Sequence, residues 1–255
     1  RAGAAGTLAL HEIARGPADG SMLLLGNTGT HVVRPEVAPT SGIAMVRPLA
    51  KLASAPGVLV GTADLPADTL TGLVQLVRNR PGQLSFASAG IGSLGHLVME
   101  SICMHTSMAL LHVPYKSSTE SLSDLLAGRI HLNILSVGAA LALLQRGRLK
   151  AYAFSGIHRS PQLAEIPTFR ELGFGGAEIE SWQGLFVRTD IPLEKQLRLE
   201  VVVAGVLKDA SFRQTLHSEH LDIAMPASLG AFSQTIEAQR LQVRTLIRAQ
   251  RLRLL

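Results

Sequence analysis

The turn that follows an apolar strand near residue 86 is the sequence feature that most constrains the fold. Leu84–Ala87 is predicted to be a strand, and Ser88-Ala-Gly-Ile-Gly-Ser93 leads from it into an apolar-periodic helix. Gly90 and Gly92 let a ligand approach the backbone, and Ser93 is a favourable N-cap residue. Main-chain N–H groups at such a helix start, together with the helix dipole, favour an anion.

The anion expected at this turn is a carboxylate or another small oxyanion. No Lys follows the glycines at the spacing that a nucleotide P-loop requires. Turns of this kind also occur where no ligand binds, so the prediction depends on the rest of the chain.

Strands and helices alternate along the chain, which predicts an α/β fold with mainly parallel sheets. Residues 36–48 are predicted to be irregular, and two long helices are expected to fill most of the chain after residue 187. The predicted strands are 22–25, 55–61, 84–87, 110–113, 130–135, 149–154 and 179–187, and the predicted helices are 7–14 and 69–79 with others starting at 93, 117 and 136.

Small polar residues recur where these predicted strands end. They are Asn27-Thr28, Ser88-Ala89, Tyr115-Lys116, Ser136 and Ser155. Ligands of open α/β sheets bind at the carboxyl ends of strands. The pattern therefore predicts a cleft with neutral donors, which can hold an anion without an Arg clamp.

Composition excludes several other classes of protein. The chain has 255 residues, 47% hydrophobic and 17% charged, which indicates a globular protein of one large or two small domains. Much of its net charge of +5 lies near the end, at Arg240, Arg244, Arg248, Arg251 and Arg253. These arginines alternate with apolar residues at helical spacing and have no aromatic residues among them. They indicate an amphipathic helix with a solvated basic face rather than a nucleic-acid surface.

The sequence predicts no metal site and no cofactor. Cys103 is the single cysteine and is expected to be a small core residue, and the nine histidines show no metal-binding spacing. No signal peptide is recognised in the opening Arg1-Ala-Gly-Ala-Ala-Gly6, which is compatible with a cytoplasmic, a processed or a truncated protein.

Short segments in a fixed order span nearly the whole chain. They are Ala18–Gly26 with Thr28–His31, Pro81–Ser93 with His96-Leu97, His112–Lys116, Asp124–Gly128, Gly147–Lys150, Arg159–Pro161, Ile166–Thr168 and Ser181–Leu185. Together they resemble the Bug-type periplasmic solute receptors, the binding proteins of tripartite tricarboxylate transporters, and their order is more specific than any one of them.

This resemblance implies a two-lobed, Venus-flytrap receptor with the type II periplasmic binding-protein fold. Residues 1–60 and 187–255 would form one discontinuous lobe and 61–186 the other, with crossings near Val58–Gly61 and Leu185–Val187. A small carboxylate would bind between the lobes, and the membrane components of the transporter would be the partners. The resemblance carries these ligand-binding residues over: Asn27, Thr28, Thr30, His31, Ser88, Ala89, Gly90, Gly92, Ser93, His96, Tyr115 and Lys116.

The chain departs from the family pattern in three places. It begins within the segment that usually reads Arg-Pro-Gly-Ala-Gly-Gly, with Ala2 at the proline position, so the family's first strand-helix unit is expected to be missing. Asn133-Ile-Leu135 replaces a segment that usually carries an Asp, and Ser117 stands where Gly is usual.

Two other functions remain open from the sequence. One is an enzyme on a similar scaffold, in which a Ser or His acts on a carboxylate substrate, although no G-x-S-x-G segment occurs. The other is a cytoplasmic ligand-sensing module. His31 is interpreted as a ligand contact, a general base or a simple cap, and His96 as structural or one step removed from the ligand. Tyr115 and Lys116 either close over the anion or are merely packed and solvated.

Overall fold

The computed structural model describes residues 7–37, 42–55, 57–117, 120–156, 158–177, 179–224 and 230–249. The helices are α1 (Thr7–Arg15), α2 (Arg34–Val37), α3 (Leu70–Asn79), α4 (Leu94–Thr106), α5 (Leu122–Leu126), α6 (Val137–Gln145), α7 (Leu193–Val206), α8 (Ala210–Ser218) and α9 (Ala231–Ala249). The strands are β1 (Leu24–Asn27), β2 (Val46–Ser54), β3 (Gly57–Thr62), β4 (Ser85–Ser88), β5 (Leu111–Pro114), β6 (Leu132–Ser136), β7 (Leu149–Phe154), β8 (Trp182–Arg188) and β9 (Asp222–Ile223).

The chain forms two compact units. Among the described residues, unit 1 contains the chain up to Ser54 together with Ser181–Thr245, and unit 2 contains Ala55–Glu180, with which residues 246–249 are grouped. The chain changes unit after Ser54 and after Glu180, earlier than the predicted residues 60 and 186. Both differences have one cause, because β3 pairs within the second sheet from Gly57 and β8 pairs within the first from Trp182.

Unit 1 is built on a four-stranded sheet in the order β1-β8-β2-β9, and every pairing in it is antiparallel. One face of the sheet packs Leu49 and Val187 against Val203 of α7 and against Leu207, which directly follows that helix. The other face carries Trp182 and Phe186, whose rings meet that of Phe232 from α9 at centroid distances of 4.8 and 5.7 Å. Burying these side chains removes large apolar surfaces from water and is the main stabilisation of the unit.

Unit 2 is built on a five-stranded sheet in the order β5-β4-β6-β3-β7. Its core contains Val58, Val60, Ala87, Leu125 and Phe154, which are essentially inaccessible to solvent. The helix α3 shows why the sequence folds locally as predicted. Its apolar residues at helical spacing are buried, and the Thr69 hydroxyl accepts a hydrogen bond from the Gly72 N–H at the start of the helix.

The expectation of mainly parallel sheets is wrong. In unit 2, β4 is parallel to β5 and β6, but β3 is antiparallel to both of its neighbours. The reason is topological. β3 and β8 are the strands by which the chain enters unit 2 and returns to unit 1, and each runs opposite to the strands beside it.

Residues 36–37 lie in α2 and residues 46–48 lie in a strand, so the prediction that all of 36–48 is irregular is wrong at both ends. The long strand β2 has Pro48 inside it and register shifts at Pro48/Ala50 and Lys51/Ala53. A proline and two bulges remove the regular alternation by which a strand is recognised in a sequence. Residues 38–41 of the same segment lie outside the described residues.

Three helices, rather than two, follow β8 in the described part of the chain. The basic helix α9 is present, but its arginines are not simply solvated. Arg240 donates to the His31 carbonyl at 2.9 Å, and Arg244 makes two hydrogen bonds to Glu36 at 2.8 and 2.9 Å. Arg251 and Arg253 lie outside the described residues. Cys103 is buried as predicted, and burial together with the neighbouring Glu100 raises the pKa of its thiol to about 12. No described helix is long and apolar enough to cross a membrane.

Candidate ligand-binding site

The turn between β4 and α4 in unit 2 has the backbone that its glycines predict. Gly90 and Gly92 adopt φ angles of +106° and +75°, a region that favours glycine. The Ser88 side chain is 1% exposed, and its hydroxyl is shared between the backbone of Gly90 and the His112 ring, with Oγ 2.7 Å from Nε2. These contacts fix the first half of the turn from within.

The first turn of α4 presents main-chain donors. The Ser93 hydroxyl accepts from the His96 N–H at 3.3 Å, and the first helical bond runs from the Leu97 N–H to the Ser93 carbonyl. The amides of Leu94 and Gly95 precede that bond, so the helix itself gives them no acceptor. A Cβ built on Gly95 meets no atom within 4 Å. The helix start is therefore unobstructed beside Gly95, and it lies at the positive end of the helix dipole.

Gly92 contributes to this site through its conformation rather than through its amide. Its N–H donates to His96 Nδ1 at 3.1 Å. The donors that remain for an anion are therefore those at the helix start.

His96 is held in a stack of aromatic rings beneath the turn. Its ring centroid is 4.0 Å from that of His112, which in turn lies 4.8 Å from that of Phe86. Burial and the neighbouring His112 lower the pKa of His96 to about 4. Burial also lowers the pKa of His112. A neutral His96 ring can accept the Gly92 N–H, whereas a ring protonated on both nitrogens cannot.

Tyr115 and Lys116 follow β5 but do not both present free groups. The Tyr115 hydroxyl donates to Asp124 at 2.7 Å, and this hydrogen bond raises the pKa of Tyr115. Asp124 also pairs with Arg129 at 2.9 Å. The Lys116 side chain is exposed, while its backbone N–H donates to Glu120 at 3.2 Å. The Glu120 N–H donates to the Ser117 hydroxyl, but α5 begins only at Leu122 with Ser121 as its N-cap, so the prediction that this helix starts at residue 117 is wrong.

In unit 1, the predicted residues surround the end of β1. The Thr30 hydroxyl contacts both the N–H and the carbonyl of Asn27, and the Thr30 N–H donates to the Asn27 side chain at 2.9 Å. Thr28 is fully buried, and its hydroxyl accepts from the Trp182 N–H at 2.9 Å. Asn27 and Thr30 thus close the turn, whereas Thr28 anchors it to β8.

His31 faces the interior of unit 1. It is 2% exposed, and its ring stacks on that of Phe186 at a centroid distance of 3.8 Å. Burial and the nearby Arg240 lower its pKa to about 4. Its Nδ1 lies 2.7 Å from the Thr30 hydroxyl, its buried Nε2 has no hydrogen-bond partner among the described residues, and the residue lines a small cavity of the unit.

The predicted site residues thus form two groups, one in each unit. Ser88, Ala89, Gly90, Gly92, Ser93, His96, Tyr115 and Lys116 belong to unit 2, and Asn27, Thr28, Thr30 and His31 belong to unit 1. Sequence reasoning missed Gly95, His112 and Asp124 as parts of the unit 2 site. His112 and Asp124 stand in segments that carried the family resemblance, which is the signal that would have found them.

At this turn, the Ser–His contact that a catalytic role would need is the one between Ser88 and His112. The buried Ser88 hydroxyl is not accessible to a substrate, and His112 lies between two other rings. Among the described residues, no group of three His, Cys, Asp or Glu side chains could hold a metal ion.

Two sheets in separate units, with polar turns at strand ends and an open helix start, define the class of two-lobed α/β binding proteins with the type II periplasmic fold. The chain belongs to the tripartite tricarboxylate transporter family receptors (TctC), whose model matches residues 1–252. This confirms the family resemblance carried by the sequence motifs.

Individual relatives agree with this assignment. The chain is 36% identical over 207 residues to the "UPF0065 protein in tcbD-tcbE intergenic region" of Pseudomonas sp. (strain P51), a match that covers 80% of this chain and 61% of that protein. A solved structure described as "R. palustris Rpa4515 with adipate" is 29% identical, with a TM-score of 0.78 over 97% of this chain and 84% of that one. The periplasmic binding protein BugD, at 24% identity, shares the fold, with a TM-score of 0.75 over 98% of this chain and 85% of that one.

Proposed function

We propose that this protein is an extracytoplasmic solute receptor that captures a small carboxylate for a tripartite tricarboxylate-type transporter. The observation that carries the proposal is the start of α4, where the amides of Leu94 and Gly95 have no acceptor within the helix and a Cβ at Gly95 would meet no atom within 4 Å. A carboxylate is the anion of the right size for two adjacent amides.

The relatives support a carboxylate ligand. The R. palustris structure was solved with adipate, a dicarboxylate, and it is 29% identical to this chain. Adipate is therefore the first probe to use, followed by shorter dicarboxylates and a tricarboxylate.

A single methyl group at Gly95 provides the sharpest test. The Cα–Cβ bond of a helical residue tilts toward the helix N-terminus, so Gly95→Ala adds a methyl beside the amides that would hold the anion and crowds a bound carboxylate. Because the built Cβ touches no protein atom, the substitution itself is unstrained. Replacing a helical Gly by Ala stabilises a helix by about 0.5–1 kcal/mol. We expect Gly95→Ala to unfold at a higher urea concentration and to bind adipate at least about tenfold more weakly in calorimetry.

Gly205→Ala is the matched control. Gly205 lies in α7 of unit 1, and a Cβ built there also meets no atom within 4 Å. It gains the same helix propensity without touching the candidate site. Equal adipate affinity in Gly95→Ala and Gly205→Ala would exclude the start of α4 as the anion site.

We further propose that the captured carboxylate leaves chemically unchanged. The Ser88 hydroxyl is enclosed and shared with Gly90, which opposes a role as nucleophile in the alternative, enzymatic function. Prolonged incubation of excess carboxylate with the protein, followed by proton NMR, should return only the starting compound. Turnover that disappears in Ser88→Ala would favour the enzyme instead.

Membership of the receptor family also supports a periplasmic location and a membrane partner. Expression of the complete gene with a C-terminal tag, followed by osmotic shock, should release the protein with the periplasmic fraction. Recovery in the cytoplasmic fraction would favour the ligand-sensing module.

A further inference from the structure

Unit 1 contains two adjoining, partly open cavities that the proposed function does not use. The larger has a volume of about 460 Å³ and lies beside β2, α7 and the start of α9. The smaller, of about 280 Å³, lies beside His31 and Phe186. Arg47, Pro48 and Ser233 line both. The larger cavity falls in the range of about 300–1,000 Å³ that is typical of small-molecule sites.

Three buried polar atoms without partners in the described part of the chain belong to residues that line these cavities. Among the described residues, the side-chain atoms of this kind are His31 Nε2, Arg34 Nε, Arg47 Nε and Gln196 Oε1. All but the Arg34 atom belong to residues that line the two cavities. Such atoms are rare in folded proteins, because each is unfavourable unless water or a ligand pairs with it.

Gln196 defines what a ligand must donate. The residue is 5% exposed, and its Nε2 donates to Glu200 Oε1 at 2.8 Å. That bond fixes the orientation of the amide and leaves Oε1 as an acceptor without a donor. A hydroxyl or ammonium group would supply the missing donor, and an ammonium group would also suit the adjacent Glu200 carboxylate.

The other polar walls define what a ligand must accept. Arg47 donates one N–H to the Ile191 carbonyl at 3.1 Å, and its Nε remains unpaired. The first bond of α9 runs from the Gln234 N–H to the Gly230 carbonyl, so the amides of residues 231–233 precede it at the cavity wall. A guanidinium and a helix start together favour a carboxylate. The apolar part of the wall includes Leu49, Val203 and Leu207, and Lys51 and Thr235 also line the cavity.

We propose that unit 1 has a ligand site of its own, for a small carboxylate that also carries a hydroxyl or ammonium donor and an apolar chain. The carboxylate pairs with Arg47 and the start of α9, the donor pairs with Gln196 Oε1, and the chain lies against the aliphatic wall. This inference goes beyond the proposed function, because the helix start at Gly95 belongs to unit 2.

Four probes with one common branched chain separate these requirements. They are leucine, its hydroxy analogue leucic acid, isocaproate, which lacks the donor, and isoamylamine, which lacks the carboxylate. We expect leucine or leucic acid to raise the melting temperature of the full chain and to bind in calorimetry. Which of the two binds more tightly tells whether the donor is an ammonium or a hydroxyl. Isocaproate should bind about tenfold more weakly than the better of them, since it leaves Gln196 Oε1 unpaired, and isoamylamine should not bind.

Variants on α7 test whether the probe binds in this cavity. Gln196→Leu removes the unpaired acceptor, and Ala204→Leu fills the cavity from the same helix. Both should abolish binding of the better probe. Lys195→Leu adds the same side chain at an exposed position next to Gln196 and should bind normally. Gly95→Ala should also bind this probe normally, even though it weakens adipate binding.

Three results would overturn the proposal. The first is no binding of any probe to the wild-type chain at millimolar concentration, which would mean that water alone pairs these atoms. The second is equal affinity for leucic acid, leucine and isocaproate. The third is binding that survives in Ala204→Leu but is lost in Gly95→Ala, which would assign the probe to unit 2. Circular dichroism establishes whether Gln196→Leu is folded, and Ala204→Leu decides the question if it is not.

Discussion

His96 and Gly92 form the residue pair on which the shape of the candidate anion site depends. The Gly92 N–H has His96 Nδ1 as its acceptor at 3.1 Å, and Gly92 holds a left-handed conformation. Placing a β-branched residue at Gly92 would strain the backbone as well as obstruct a ligand, so such a variant would not separate the two effects. Substitutions at His96 leave the glycine untouched.

We predict that His96→Leu lowers the free energy of unfolding by about 1–3 kcal/mol, because it leaves the Gly92 N–H without an acceptor beneath the turn. His96→Asn is the matched variant, since its side-chain oxygen can replace Nδ1 while the ring stacking is lost in both. Urea unfolding should show His96→Asn to be the more stable of the two. The same order should appear in adipate affinity. Identical behaviour of the two variants would mean that the ring stack, not the hydrogen bond, holds the turn.

Residue roles were predictable from the sequence only where they follow from the local backbone. Ser93 as N-cap and the positive φ of Gly90 and Gly92 follow from the residue types at a strand-to-helix turn. The inward orientation of His31 does not, because it depends on Phe186 and Arg240, which are distant in the sequence. The Phe86–His112 stack depends in the same way on the parallel strands β4 and β5, whose register places Phe86 opposite His112.

Helix starts are the elements that the sequence predicts best, because the capping residues act on their nearest neighbours. Thr69 begins α3, and its hydroxyl accepts from the Gly72 N–H at 3.1 Å. Ser136 and Ser93 play the same part at α6 and α4. Strand direction is predicted least well. The directions in which β3 and β8 run relative to their neighbours depend on how the chain enters each unit. No local sequence pattern indicates these directions.

We predict that Thr69→Ala lowers the free energy of unfolding by about 1 kcal/mol, since it removes the acceptor for one N–H of the first turn of α3. Thr71→Ala, an exposed position inside the same helix, is the control. Alanine favours the helix interior, so this second variant should be neutral or slightly stabilising. Urea denaturation followed by circular dichroism measures both. A Thr69→Ala variant as stable as Thr71→Ala would show that the cap contributes nothing.

At the scale of the whole molecule, the order of short motifs predicted the family, although each motif was weak alone. The α/β composition and the presence of two units also followed from the sequence. The cavities of unit 1 did not, because they arise where β2, α7 and α9 meet and no single segment encodes them. The chain covers 61% of the length of its Pseudomonas relative, so the complete relatives contain further structure that these residues do not describe.

Buried histidines in both units make the stability of the molecule sensitive to mild acid. Burial lowers the pKa of His31 and of His96 to about 4, with Arg240 contributing at the former and His112 at the latter. Above pH ~6.5 each ring is neutral in the folded and unfolded chain, so neither affects stability. As the pH falls from ~6.5 to ~4, the unfolded chain takes up protons that the folded chain does not. Stability is therefore lost over that window.

We predict a loss of about 3 kcal/mol for each of these two histidines between pH ~6.5 and pH ~4, at about 1.4 kcal/mol per pH unit. Burial raises the pKa of Glu100, which works in the opposite sense and offsets part of the loss. Urea unfolding across this range should give a falling midpoint in the wild-type chain. His31→Gln and His96→Gln should each flatten the curve, while His158→Gln, at an exposed position, should leave it unchanged. If the midpoint stays constant down to pH ~4, both rings are already accessible to protons in the folded state.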